Sequence, residues 1–143
     1  MFEYGFQTAS SLLNPESRNK GIWSVKTTIA KKYTVNVTTL DTYFKNIKLK
    51  EPIFIKMDTQ GTEDLIIKGG QKLLKKASVL IIETSFVKFY KNQYLFDDVY
   101  KEITKLGFSY KGNLLESNFY PYFKPPMGEN SLFIKTNSAE YVL

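Results

Sequence analysis

The stretch from Glu51 to Ser85, EPIFIKMDTQGTEDLIIKGGQKLLKKASVLIIETS, constrains the fold more than any other part of this chain. An apolar run, Ile53-Phe54-Ile55, leads into Lys56-Met57-Asp58. A turn at Gly61 follows, then a helical pattern, then a second apolar run from Val79 to Ile82 that ends in Glu83. Two short β-branched runs flanking a helix of this length read as a βαβ unit with parallel, buried strands. In an open parallel sheet, ligands sit beyond the carboxyl ends of the strands. Both runs close on a carboxylate, so neighbouring strands would place Asp58 and Glu83 together on that rim.

The composition narrows the chemistry. The chain of 143 residues has the length of one domain, with 10 tyrosines and 11 phenylalanines to supply burial. It has no cysteine, which excludes disulfides and thiolate chemistry. It has no histidine either, so acid–base work falls to Asp, Glu, Lys or Tyr, and a metal would need oxygen ligands. The net charge of +6 comes almost wholly from scattered lysines, Arg18 being the only arginine. Nucleic-acid binders cluster such residues along one groove, so these lysines read as solvated helix faces and a nucleic-acid partner is not expected. No run approaches the roughly 20 apolar residues of a membrane span. The start, Met1-Phe2-Glu3-Tyr4, lacks a signal-peptide layout, and a cytoplasmic protein is expected.

Along the chain, the alternation of Phe2, Tyr4 and Phe6 suits a short strand, and Asn14-Pro15 opens a polar loop through Gly21. Ile22–Ile29 and Tyr33–Leu40 read as strands joined by Ala30-Lys31-Lys32. Asp41 reads as the cap of a short helix, Thr42 to Ile47. Thr62 is the expected N-cap of the central helix, with Leu65, Ile66, Leu73 and Leu74 facing the sheet. Gly69-Gly70 either splits that helix or permits close packing. Phe96, Val99, Tyr100, Ile103 and Leu106 mark one apolar face of a helix closed by Gly107. Phe108–Leu115 and Ser131–Thr136 read as a final antiparallel pair of strands, joined by the proline-rich stretch from Phe119 to Pro126.

The segment Lys56-Met57-Asp58-Thr59-Gln60-Gly61-Thr62-Glu63, followed by Leu65, Lys68, Gly69 and Gly70, resembles the hallmark of the FkbM-type S-adenosylmethionine-dependent methyltransferases. Val37-Thr38-Thr39-Leu40-Asp41 resembles that family's "TLD" element, and Ser10-Ser11-Leu12-Leu13 a further upstream one. Ile81-Ile82-Glu83, the Phe96-to-Gly107 helix and Ser131-Leu132-Phe133-Ile134 follow in the family's order. The resemblance covers most of this chain but only the second half of a typical family domain. The family's opening strand, with its glycine-rich cofactor loop, has no counterpart.

The resemblance implies an α/β fold: a partial Rossmann-like methyltransferase sheet in a single domain, mainly parallel with an antiparallel C-terminal strand, and helices packed against it. It implies O-methylation of a hydroxyl, on a sugar or another small molecule, with S-adenosylmethionine as cofactor. In that reaction Asp58 would orient or deprotonate the hydroxyl, or hold a divalent cation that lowers its pKa. Glu83 would be the partner of Asp58, and Lys56 would set the carboxylate's ionisation. Gln60, Phe86 (in the aromatic loop after Glu83) and Tyr122 (in a lid that stacks on sugar faces) would contact the substrate. Each has a plainer reading: Asp58 as a turn cap, Gln60 as a loop amide, the 119–126 stretch as a cover over the sheet edge. Glu63 reads as a first-turn helix charge, and Asp41 as a cap rather than a ribose ligand, because no Gly-x-Gly precedes it. Without the cofactor loop, the chain alone is expected to bind S-adenosylmethionine weakly or not at all. Two other classes stay open: a binding module for acidic partners, and an assembly unit that associates with itself through an exposed sheet edge.

Overall fold

The computed structural model describes residues 1–4, 10–14, 29–114 and 126–136. Six strands and four helices are placed, in two sheets. β1 (Phe2–Tyr4) pairs antiparallel with β2 (Ile29–Lys32), Phe2 lying opposite Lys32. After α1 (Leu40–Tyr43) comes the central unit: β3 (Phe54–Met57), α2 (Glu63–Gly69), α3 (Gln71–Leu74) and β4 (Val79–Ser85). α4 (Phe96–Lys105), β5 (Phe108–Asn113) and β6 (Gly128–Lys135) complete the larger sheet, whose order is β3-β4-β6-β5.

The βαβ unit forms as its sequence requires. β3 and β4 are parallel neighbours, with Phe54 opposite Val79 and Met57 opposite Ile82. Mixed α/β architecture is therefore observed, but the expectation of a mainly parallel sheet is corrected. β6 pairs antiparallel with both β4 and β5, leaving β3–β4 as the one parallel pair among the described strands. The reason is topological. β5 runs in the same direction as β4, but the returning β6 inserts between them and converts one would-be parallel contact into two antiparallel ones.

The core lies between the helices and one face of this sheet. Leu80, Ile82, Phe108 and Phe133 supply the sheet side, and Ile67, Leu74, Val99 and Ile103 the helix side. Each fully buried side chain of this size contributes about 1.5–3 kcal/mol relative to exposure. The periodicity of α4 is borne out by the burial of Val99, Ile103 and Leu106 on one stripe. Asp98 accepts a hydrogen bond from the Leu95 N–H at 3.2 Å and caps that helix. On α2 the apolar reading is partly corrected: Leu65 is exposed and Ile67 takes the buried position.

The upstream half departs further from the sequence reading. Tyr33–Thr39 forms no strand and stays exposed. Instead Lys31 and Lys32, expected in a connection, are drawn into β2 by pairing with β1. Residues 22–28 of the other expected strand, Phe6, Pro15 to Gly21, Leu115 at the end of the expected Phe108–Leu115 strand, and Phe119 to Pro125 of the proline-rich stretch lie outside the described residues. Asp41 is a cap, but of another helix. Thr39 Oγ1 accepts from the Thr42 N–H and caps α1, while the Asp41 carboxylate accepts from the N–H groups of Lys72 (3.0 Å) and Leu73 (2.9 Å) at the start of α3. The glycine pair explains how the two segments come so close. It divides α2 from α3, and a Cβ at Gly69 would lie 3.0 Å from Thr39 Cβ, one at Gly70 2.9 Å from Leu40 Cδ1. Among the described residues no helix is long and apolar enough to cross a membrane.

The Asp41 cap gives a direct test. Asp41→Ala strips two helix-end N–H groups of their acceptor and is expected to lower stability by about 1 kcal/mol. Urea denaturation at neutral pH checks this, and Asp41→Asn, which keeps an acceptor oxygen, should recover most of the loss.

Candidate active site

The parallel pairing of β3 and β4 sets the site. Asp58 directly follows β3, and Glu83 lies near the end of β4. Their carboxylates meet at one side chain between them. Gln60 Nε2 donates to Asp58 Oδ1 at 3.0 Å and to Glu83 Oε2 at 2.8 Å. Two acceptor carboxylates require the NH₂ end of the amide between them, which fixes its orientation. The amide oxygen then faces the Tyr90 hydroxyl, which donates to it at 3.3 Å.

The loop that presents Gln60 is held from several directions. Gln60 has a positive φ of 54°, and its carbonyl accepts from Ser11 Oγ at 2.7 Å. Gly61 follows at φ 92°, where a Cβ would lie 2.8 Å from a Tyr90 ring carbon. Glycine is required there on both counts, for the backbone conformation and for the space. Glu63, expected as a simple first-turn charge, is buried and holds the turn instead. Its Oε1 accepts from the Thr59 N–H (2.9 Å), the Thr59 hydroxyl (3.1 Å) and the Gly61 N–H (3.4 Å). Thr62, the expected cap, makes no side-chain capping bond and donates to the Thr59 carbonyl. Tyr90 is seated in turn by Gln93, whose Oε1 accepts from the N–H groups of Phe89 and Tyr90 and whose Nε2 donates to Ser85 Oγ.

The two carboxyl groups have different environments. Burial pushes Glu83 up to about 7, helped by its hydrogen bond with Asp58 and by the charges of Asp58 and Glu63, with Lys56 opposing. For Asp58, partial burial acts upward, but hydrogen bonds with Glu83, Gln60 and Lys56 outweigh it and hold the group below its ordinary value. Around pH 7 Glu83 is therefore about half protonated while Asp58 stays ionised, and the pair holds one full proton only at lower pH. Lys56 Nζ lies 3.3 Å from Asp58 Oδ2 and is largely exposed, so this ion pair is a weak rim contact. Burial also raises the Tyr90 hydroxyl, which stays a proton donor across the physiological range.

Asp58, Gln60 and Glu83 face a cleft of about 1360 Å³. Its other walls include Ser10–Leu12, Val35–Leu40, one side of α2 through Leu65 and Ile66, and Asn130. A family model, the methyltransferase FkbM domain, matches residues 3–110 of this chain. The chain belongs to that family. The assignment makes it a methyltransferase domain, and the family implies S-adenosylmethionine as methyl source. No curated protein and no solved structure matches the chain.

Of the site residues expected in this FkbM domain, Lys56, Asp58, Gln60 and Glu83 come together. Phe86 packs on Phe96, with ring centroids 5.6 Å apart, and is not among the residues lining the cleft. Tyr122 lies outside the described residues. Ser11, Tyr90, Gln93 and Asn130 were not named as site residues from the sequence, although Ser11 falls in the upstream family element and Tyr90 in the aromatic loop after Glu83. Ser11 and Tyr90 lie 49 and 30 positions from Gln60, a separation that no local pattern encodes. Asp58 is engaged by two N–H donors, and among the described residues no three metal-ligating side chains gather.

The raised Glu83 pKa has a defined consequence for stability. The folded state holds this proton more tightly than the unfolded chain, so the contribution is complete below about pH 4.5 and is lost as pH rises to about 7. Glu83→Gln mimics the protonated form and can still accept from Gln60. It is expected to be more stable than the wild type at pH 8 by about 1–2 kcal/mol after allowance for solvent screening, with little difference at pH 4. Paired urea titrations at the two pH values measure this.

Proposed function

We propose that this chain provides the acceptor side of an O-methyltransferase acting on a hydroxyl of a sugar or a related small molecule. The observation that supports this is the Gln60 amide holding Asp58 and Glu83 together on the cleft wall. When bound, S-adenosylmethionine supplies an electrophilic methyl group on a positively charged sulfur. What the acceptor needs from the protein is orientation and a place for its proton. Glu83 suits the second role, because a base is most effective when its pKa lies near the working pH. Asp58, kept ionised, accepts a hydrogen bond from the acceptor hydroxyl or a neighbouring one and stabilises the proton once it reaches Glu83. Gln60 keeps the two groups at a fixed separation, and Lys56 offsets part of their charge.

Asp41, the acid considered as a ribose ligand, is committed to the N–H groups of α3. We therefore hold that this chain alone binds S-adenosylmethionine weakly. Isothermal titration of the cofactor into the chain is expected to show dissociation in the millimolar range or none. Micromolar binding would reverse this part of the reading.

Transfer of isotopically labelled methyl to a panel of sugars and polyols tests the chemistry, using the chain together with whatever partner segment completes cofactor binding. Rates should rise through about pH 7 and then level, following ionisation of the pair. Glu83→Gln should lower the rate by about 10²–10⁴-fold, the usual worth of a general base. Asp58→Asn should move the midpoint downward, since it removes the neighbouring charge. An unchanged rate in Glu83→Gln would refute the assignment of the base.

A further inference from the structure

Among the described residues that line the cleft, Asn130 is the only one from β6. It lies directly opposite Glu83 in the β4–β6 pairing. Residues opposite each other in an antiparallel pair point to the same face, with Cβ atoms about 4.5–5.5 Å apart. The burial pattern agrees. Phe133 belongs to the core beneath the helices and Ser131 is buried on the same side, so by alternation Asn130 takes the other face, with Glu83.

The rim of the sheet thus carries three polar side chains in a row, one from each of three adjacent strands: Asp58 after β3, Glu83 on β4 and Asn130 on β6. The first two are tied together by Gln60. Asn130 is not held in this way. Its backbone carbonyl accepts from the Leu114 N–H at 2.9 Å, but its side-chain amide makes no hydrogen bond to any described residue. The carboxylate of its neighbour Glu129, by contrast, accepts from Tyr110 and Ser131 at 2.6 Å each. A half-buried amide, with two N–H donors and an acceptor oxygen, therefore faces the cleft beside Glu83.

We propose that the Asn130 amide holds a second hydroxyl of the acceptor, next to the one that Glu83 deprotonates, so that the domain selects acceptors with two adjacent hydroxyls. The inference rests on the reading of Glu83 as the base and narrows the substrate class to a vicinal diol, as on a sugar ring. Two side chains at this separation can each reach one of a pair of adjacent ring hydroxyls. An amide suits the second hydroxyl because it both donates and accepts. A carboxylate in its place would set another negative charge beside Glu83. An apolar side chain would leave the second hydroxyl stripped of water and without a partner.

Acceptor binding to the full, isotope-labelled chain without cofactor tests this by NMR. The probes are the methyl glycopyranosides of glucose, galactose and mannose, and tetrahydropyran-4-ol, which has the same ring with a single hydroxyl. The side-chain NH₂ signals of Gln60 and Asn130 report on the two parts of the row. At least one glycoside should shift both signals, and tetrahydropyran-4-ol only that of Gln60. Asn130→Ala should weaken binding of that glycoside about three- to tenfold, the worth of one neutral hydrogen bond, and leave tetrahydropyran-4-ol binding and the melting temperature unchanged. Glycosides that shift only one of the two signals, or that bind Asn130→Ala as tightly as the wild type, would overturn the inference and leave Glu83 as the base. Equal loss of both kinds of probe in Asn130→Ala, with a lowered melting temperature, would make Asn130 a structural residue and also overturn it. No shift of Gln60 by any probe at high millimolar concentration would overturn this inference and the acceptor-site reading together.

Discussion

The structure around the cleft depends on one amide. Gln60 donates two hydrogen bonds, one to each of two carboxylates that would otherwise repel across a partly buried space. The groups meet because β3 and β4 are parallel neighbours in register, so the residues beyond their ends share a rim. Parallel strands demand a crossover, and the α2–α3 segment supplies it. The turn between strand and helix must then place Gln60 at positive φ, followed by a glycine that no other residue could replace without meeting Tyr90. Sheet geometry, turn conformation and electrostatics are thus a single constraint seen at three scales.

That constraint also accounts for the unusual burial of acidic groups. Glu63 sits at 4% exposure, because its carboxylate is the acceptor that closes the turn. Glu83 is kept partly protonated by its surroundings, while Asp58 one strand away stays ionised. Two carboxyl groups with separated proton affinities are what acid–base chemistry on a hydroxyl needs, and they arise here without histidine. A second set of long-range bonds, from Asp41 to the start of α3, ties the exposed upstream segment to the same crossover. The cleft lies between these two attachments.

Reading the sequence worked where a local rule governs a local outcome. Asp58 and Glu83 could be placed together because strand ends follow from apolar runs, and parallel pairing follows from the helix between them. The stripe from Phe96 to Leu106 identified α4 for the same reason. It failed where the partner is distant in sequence. Tyr33 to Leu40 has the alternation of a half-buried strand, but no neighbouring strand is available within the described fold, and hydrogen-bond partners rather than pattern decide whether a strand forms. Asp41 looked like the cap of the helix beside it, yet its carboxylate serves a helix 31 residues away. Sheet direction was misjudged because insertion of β6 between β4 and β5 is a matter of chain return, which no period encodes.

By itself, then, the sequence determined the βαβ unit, the carboxylates at its two strand ends, the family to which the central segment points, and the exclusion of thiol and imidazole chemistry. These follow from residue types and short-range periodicity. Only the tertiary structure decided that one glutamine would hold both carboxylates, that Tyr90 and Ser11 would hold the glutamine, and that Glu83 rather than Asp58 would carry the raised pKa. Those outcomes depend on burial and on contacts between residues tens of positions apart, and desolvation has no value until the surrounding chain has closed around the group.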